Sequence, residues 1–214
     1  MSEDEARAWL ATQFDVPRET WDQLERFVAV LLDAMDGQNL IAESTRDQIW
    51  ARHIVDSAQL LTHSGAAQPG TWMDLGSGAG LPGLVIAILS PWDVLLVESR
   101  RKRIDFLSHV VTELGLTRTR IFGGRVEAVE STPAAVISAR AYAPLDRLLA
   151  SAVHLADEKT VWILPKGRNA QNELEAIRPS WQGAFHVEPS ITDPDSAILV
   201  ARAVKPAARR KGQG

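Results

Sequence analysis

The stretch Thr71–Leu89, TWMDLGSGAGLPGLVIAIL, decides how the rest of the chain is read. A short apolar run (Trp72, Met73) passes through Asp74 to Leu75, and four glycines follow within eight residues: Gly76, Gly78, Gly80 and Gly83. The apolar segment Leu84–Leu89 is long enough to finish a buried helix. The order reads strand, tight glycine turn, helix, with the helix expected over 80–89. Glycine accepts positive φ and lets a ligand approach the backbone closely. Free N–H groups at the start of the helix are expected to point towards whatever sits on the loop. This is the pattern of a nucleotide-type site, and its bland counterpart is an ordinary tight strand–helix turn.

Gly78, Gly80 and Gly83 satisfy G-x-G-x-x-G, a dinucleotide fingerprint that is weak when it stands alone. A second buried-strand pattern, Asp93–Val97, is closed by Glu98, eighteen residues past Gly80. An acid at the tip of a second strand can accept both ribose hydroxyls. Taken alone, Glu98 reads equally well as a surface acid. Asp74, ahead of the glycines, separates two kinds of ligand. A pyrophosphate is repelled by a carboxylate at that position, whereas S-adenosylmethionine carries no phosphate but an ammonium and a sulfonium. The loop therefore resembles motif I of the class I S-adenosylmethionine-dependent methyltransferases. On that reading Asp74, Gly76, Gly78, Gly80 and Glu98 are cofactor-side residues, and S-adenosylmethionine is the cofactor.

The composition narrows the field. A chain of 214 residues is one large domain or a core with an extension. No run approaches the ~20 apolar residues of a membrane span, and the acidic start MSEDEARAW lacks the pattern of a signal peptide. The expected location is the cytoplasm. With no cysteine, disulfides, thiolate metal sites and a cysteine nucleophile are excluded. The net charge of −4 gives no global attraction to nucleic acid, so a polyanion would need a gathered basic face. Arg100–Arg103 and the tail from Arg202 to Lys211 are the two candidates, each equally readable as a solvated surface.

Ahead of the glycine loop the chain reads as helical. Trp9, Leu10 and Phe14 share one face, and Trp21, Leu24, Val28, Leu31, Leu32 and Met35 recur at intervals of three and four. Pro17 starts the second helix, and Ile49–Leu61 makes a third. From Thr71 onward strands are expected at 71–75, 93–97, 119–123, 135–139 and 160–164, with helices at 101–114, 144–156 and 169–177 between them. Such alternation predicts a parallel sheet covered on both faces. Phe185–Val187 and Ala197–Ala203 form a terminal antiparallel hairpin, which dinucleotide-binding dehydrogenases lack. The fold class is α/β, with a class I methyltransferase sheet. The expected division is a helical extension at 1–66, a core at 67–204 and a flexible basic tail at 205–214.

Ligands in such sheets bind outside the carboxyl ends of the strands. The adenine should lie between the ends of strands two and three, walled by Val126 and Glu127. Strand four ends at Arg140 and strand five at Lys166. The segments MDLGSGAGLPG, VESRRKRIDFL, GRVEAVE, ISARAYAPL and LPKG, in that order, are similar to the glucose-inhibited division protein B family. The helical segment NLIAESTRDQIWARHIVDS is similar too, so the likeness runs from about Asn39 to Val204. The resemblance implies a methyltransferase forming 7-methylguanosine in small-subunit (16S) ribosomal RNA, with cofactor contacts at Gly76, Leu81, Val126, Glu127 and Arg140. Many members carry Asp where this chain has Glu98.

The chemistry left open by the residues agrees. Without cysteine there is no covalent C5 adduct, and ARAYAPL lacks the Asn/Asp-Pro-Pro-aromatic box of exocyclic amine methylation. No histidine cluster calls for a metal. A ring nitrogen with a free lone pair, such as guanine N7, needs no general base, only positioning. Arg140 is the candidate catalytic residue, donating to guanine O6 or a phosphate, with Lys166 second; a surface ion pair with Asp146 or another acid is the plain alternative for Arg140. Tyr142 is the best stacking candidate. His53, Asp56 and Ser57 share a helix face that is either core or the wall of the substrate cleft. The expected partner is small-subunit ribosomal RNA, free or in a particle, with a monomeric enzyme and no membrane. The competing readings are an NAD-dependent oxidoreductase, from GAGLPG plus Glu98, and a non-catalytic binding module.

Overall fold

The structure, a computed structural model, describes residues 1–65 and 67–208. Seven strands form one sheet in the order β3-β2-β1-β4-β5-β7-β6. The first five, β1 (Thr71–Leu75), β2 (Asp93–Glu98), β3 (Thr119–Gly123), β4 (Val136–Ser138) and β5 (Val161–Lys166), are parallel. The last two, β6 (Trp181–Pro189) and β7 (Ala197–Pro206), form the expected antiparallel hairpin, with β7 paired to β5. Both hairpin strands are longer than their apolar cores suggested. β7 continues through Lys205 and Pro206, into the segment expected as a loose tail; residues 209–214 of that tail lie outside the described residues. The strand order reverses between β1 and β4, which opens a crevice at their carboxyl ends.

Alternation along the strands sends neighbouring residues into two cores. Trp72, Val161 and Ile163 join α4 (Gly83–Leu89) and α5 (Arg101–Glu113) on one face. Met73, Leu75, Trp162 and Leu164 join α6 (Leu145–Ala152) and α7 (Ala170–Ile177) on the other. Strands buried on both faces read as continuous apolar runs, as DVLLV and TVWIL do.

The helices α1 (Glu3–Gln13) and α2 (Arg18–Ala34) add a layer over the first face. Their Ala6, Leu10, Leu24, Phe27 and Leu31 belong to the same core as Leu84, Ile86 and Leu107. The third helical run is not one regular helix. It passes from a 3-10 stretch (Glu43–Gln48) through a π-helical stretch (Trp50–Val55) and the α turn α3 (Asp56–Ala58) to a second 3-10 stretch (Gln59–His63). Its π start is held from α1: Glu3 accepts hydrogen bonds from the N–H groups of Trp50 (3.0 Å) and Ala51 (2.9 Å). Arg7 adds a cation–π contact over the Trp50 ring, 3.9 Å from its centroid.

Candidate functional site

Two hollows meet at the crevice. A small cavity of about 250 Å³ lies over the ends of β2 and β3, lined by Gly76, Val97, Glu98, Ser99, Gly124, Arg125, Val126, Glu127, Tyr142, Ala143, Arg147 and Ser151. A cleft of about 910 Å³ opens beside it, over the ends of β4 and β5. Its walls come from Leu40–Ala42, Arg52, His53, Asp56, Arg140, Lys166, Glu173 and the β6–β7 turn. Tyr142 and Ala143 line both, so the segment after β4 is a shared wall. Ala141, just before Tyr142, has φ +51, a left-handed conformation uncommon outside glycine. That turn places Arg140 in the cleft and Tyr142 in the wall between the two hollows.

The glycine loop is built differently from the sequence expectation. The amides of Gly76, Ser77, Gly78 and Gly80 are paired inside the protein rather than pointing outward. Gly76 and Ser77 donate to Val97 O (2.8 and 3.1 Å), Gly78 to Glu98 Oε2 (3.0 Å) and Gly80 to Ser77 O (2.7 Å). The helix α4 begins only at Gly83, whose N–H donates to Asp74 Oδ2 at 3.2 Å. Gly76, Gly78 and Gly80 all have positive φ (+68, +56 and +81), which a side chain would strain. A β-carbon at Gly76 would sit 2.6 Å from Tyr142 Cδ2, so the Tyr142 ring rests on the bare backbone there.

Asp74 does not line either hollow; it braces the loop from below. The β1–β4 register sets it beside Ser138, which donates to Asp74 Oδ1 at 2.8 Å and accepts from Trp72 Nε1 at 2.9 Å. The carboxyl is fully buried, and burial pushes its pKa up to about 6 against the hydrogen bonds from Ser138 and Gly83, which hold it down. Leu81 turns its side chain into the core, and Gly78 and Gly80 shape the loop without lining the cavity. Gly76, Glu98, Val126 and Glu127 come together around the small cavity. Glu98 is itself nearly buried and accepts from three amides, those of Gly78, Ser99 (2.7 Å) and Arg100 (2.8 Å). It therefore ties the loop to the start of α5 as well as facing the cavity.

Arg140 and Lys166 belong to the larger cleft. Arg140 pairs with Asp56 Oδ2 at 3.5 Å rather than with Asp146, which accepts from Trp181 Nε1 instead. Burial lowers the Arg140 pKa, and Asp56 opposes that shift. Lys166 Nζ lies 2.8 Å from Glu173 Oε2, the same oxygen that accepts the Leu145 N–H. His53 and Asp56 face the cleft, while Ser57 turns away and donates to His53 O at 2.6 Å. Asp56 also accepts from Gln59 and Thr192, and Arg52 pairs with Asp193 at 2.7 Å, so the β6–β7 turn is tied to the helical run. Sequence reasoning passed over Arg52, Arg125, Arg147 and Ser151. Arg52 was accessible as the neighbour of His53, and Arg147 as the polar face of α6; nothing local marks Ser151.

The family model described as rRNA small subunit methyltransferase G matches residues 20–195. The chain belongs to this family. A protein from Rhizorhabdus wittichii with the name Ribosomal RNA small subunit methyltransferase G is 55% identical over 100% of this chain and 97% of its own length. One of the same name from Zymomonas mobilis is 47% identical over 100% and 99%. Among solved structures, the glycopeptide N-methyltransferase MtfA complexed with sinefungin aligns with a TM-score of 0.59 at 12% identity, covering 70% of this chain and 93% of that one. A mutant of MtNAS in complex with S-adenosylmethionine aligns at 0.58 and 16% identity, covering 85% and 72%. At such identities these two likenesses concern the fold, and the family rests on the sequence matches.

Proposed function

We propose that this chain transfers the methyl group of S-adenosylmethionine to N7 of a guanosine in small-subunit (16S) ribosomal RNA. The name shared by its family relatives supports the substrate. The observation that carries the cofactor is the internal pairing of the first three amides of the glycine loop. A pyrophosphate needs outward amides, and here those of Gly76, Ser77 and Gly78 are bonded to Val97 and Glu98. A ligand without phosphates does not need them, which disfavours NAD. The small cavity instead presents carboxylates (Glu98, Glu127), an apolar wall (Val126) and the bare backbone of Gly76. These suit ribose hydroxyls, an adenine and a slim chain respectively.

When bound, S-adenosylmethionine supplies a methyl group made electrophilic by its sulfonium. Glu98 accepts from the ribose, Val126 and Glu127 hold the adenine, and Gly76 keeps the loop open beneath Tyr142. Asp74, Gly78, Gly80 and Leu81 act from behind by fixing the loop. In the cleft Arg140 donates to guanine O6, exchanging its long contact with Asp56 for one to the base, and Lys166 meets a phosphate in competition with Glu173. Guanine N7 carries no proton, so no residue removes one. The protein contributes alignment and a dry site, and neither a general base nor a metal is required by the step. The enzyme acts as a monomer in the cytoplasm, on free RNA or an assembled particle. Residues 1–65 form a helical extension packed on the catalytic core, which starts at residue 67 and whose last strand, β7, runs to Pro206.

The test is mass spectrometry of nucleosides from 16S ribosomal RNA of cells with and without the gene, with thermal-shift titration of the protein. Loss of 7-methylguanosine in the deletion, and a rise in melting temperature with S-adenosylhomocysteine but not NAD, are the expected results. Unchanged 7-methylguanosine, or a shift with NAD alone, overturns the reading.

A further inference from the structure

Guanine and adenine both offer an unprotonated N7, so the methyl-transfer step by itself does not choose between them. Selection has to come from the neighbouring positions: guanine presents O6, an acceptor, beside N1–H, a donor, whereas adenine presents an N6 amine beside a bare N1. A protein that selects guanine therefore needs a donor and an acceptor side by side. The donor taken here is Arg140, which lines the cleft at the end of β4. The acceptor is found in the π-helical stretch.

His53 is only 7% exposed and lines the cleft. Its Nε2 lies 2.7 Å from Thr45 Oγ1, and the same Oγ1 lies 2.7 Å from Ala42 O. A carbonyl only accepts, so the single Thr45 hydroxyl proton goes to Ala42 O. The Thr45 oxygen must then accept from His53, which places the ring proton on Nε2 and leaves Nδ1 as a lone pair. That Nδ1 is buried and has no hydrogen-bond partner among the described residues. Burial, with Arg140 and Arg52 nearby, pulls the ring's pKa down to about 3, so it stays neutral at working pH. An acceptor left unmatched in the interior is a standing cost that a ligand donor would relieve. Arg140, held to Asp56 by a 3.5 Å contact, is the neighbour that gives way most easily to admit one.

We propose that His53 Nδ1 accepts a hydrogen bond from N1–H of the target guanine while Arg140 donates to O6, so that this pair selects guanine over adenine at the methylated position. The inference rests on the reading of the chain as a guanine-N7 methyltransferase. It makes Thr45 a positioning residue, since its bond to Ala42 O fixes the tautomer of His53.

The experiment measures kcat/KM on ribosomal RNA carrying guanosine, inosine or 2-aminopurine at the methylated position. Inosine keeps O6 and N1–H. 2-Aminopurine keeps N7 and the 2-amine but loses both of the groups read by the pair. Wild-type enzyme is expected to accept inosine within about 10-fold of guanosine and to reject 2-aminopurine by at least ~100-fold. Equal use of 2-aminopurine by the wild type overturns the proposal without any variant being made. Absence of methylation on guanosine itself would instead sink the underlying reading. His53→Phe should lower kcat/KM on guanosine by about 10–100-fold and shrink the guanosine to 2-aminopurine ratio to within about 10-fold. His53→Asn, which keeps an amide oxygen as acceptor, should retain more of the ratio than His53→Phe. S-adenosylhomocysteine affinity should stay within about threefold in both. Equal losses on all three RNAs, with the ratio intact, would make His53 a structural residue and overturn the proposal.

Discussion

The two hollows on either side of Tyr142 are made by different means. Around the small cavity the backbone does the shaping: three positive-φ glycines and a loop whose amides are bonded to Val97 and Glu98. Around the large cleft side chains do it, as a set of ion pairs (Arg140–Asp56, Lys166–Glu173, Arg52–Asp193) beside His53, whose Nδ1 has no partner among the described residues. A backbone-built pocket has one shape and suits an invariant cofactor. A pocket lined by paired charges can exchange partners one at a time, which suits a polyanion that must be admitted, read and released.

The largest effect is expected where the backbone is least forgiving. Gly76→Val should weaken S-adenosylhomocysteine binding at least ~100-fold in a calorimetric titration, because its β-carbon meets the Tyr142 ring and its φ of +68 strains any side chain by about 1–2 kcal/mol. Melting should fall by only a few degrees. Normal affinity in a folded variant would mean that this backbone is not the cofactor wall, and the contrast between the hollows would fail. Arg140→Ala tests the other side. Methyl transfer should drop at least ~100-fold, roughly 2.7 kcal/mol of barrier, while S-adenosylhomocysteine affinity stays within about threefold. A matching loss of cofactor affinity would return Arg140 to the cofactor side, as the family resemblance implies, and blur the comparison.

Asp74 offers a subtler measurement, made on stability instead of activity. Its folded pKa of about 6 lies above the ordinary 3.8, so the folded protein holds this proton more tightly than the unfolded chain does. The stabilisation from that proton is complete below about pH 4 and is lost as pH rises through 6. Relative to Asp74→Asn, the wild type should therefore lose about 2–3 kcal/mol of unfolding free energy between pH 4 and pH 7.5 in denaturant titrations. A difference that does not change with pH would show that the brace under the loop is not a buried carboxyl that titrates in this range.

How much of this was legible in the sequence follows the same division. The strands, the glycine turn and the hairpin were readable, because two-faced burial makes continuous apolar runs and positive φ demands glycine. Glu98, Val126 and Glu127 were singled out from their places at strand ends, and the structure gathers them around the small cavity. Asp74 was read from its place ahead of the glycines, and its bond to Ser138, sixty-four residues away, forms only through strand register, which local pattern does not show. The N–H groups at the start of the helix were expected to face a ligand; those of Gly80 and Leu81 donate to Ser77 O and that of Gly83 to Asp74, a turn that local pattern does not reveal. The regular helix expected over Ile49–Leu61 is in fact a π stretch, an α turn and a 3-10 stretch, because apolar spacing reports which face is buried and not the hydrogen-bond register. The tautomer of His53 depends on Thr45 and Ala42, so it becomes visible only once that loop is folded back.

The tie between the β6–β7 turn and the helical run sets a schedule for synthesis. Every residue lining the small cavity lies between Gly76 and Ser151. The cleft draws on residues as early as Leu40 and as late as Ile198, and its Asp56 and Arg52 are held by Thr192 and Asp193. A chain leaving the ribosome from its amino end therefore has all of its cofactor-cavity residues some fifty residues before the cleft can close. The last hairpin nevertheless completes both hollows, because its Leu199 and Val204 belong to the same core as Val97 and Val126 of the small cavity.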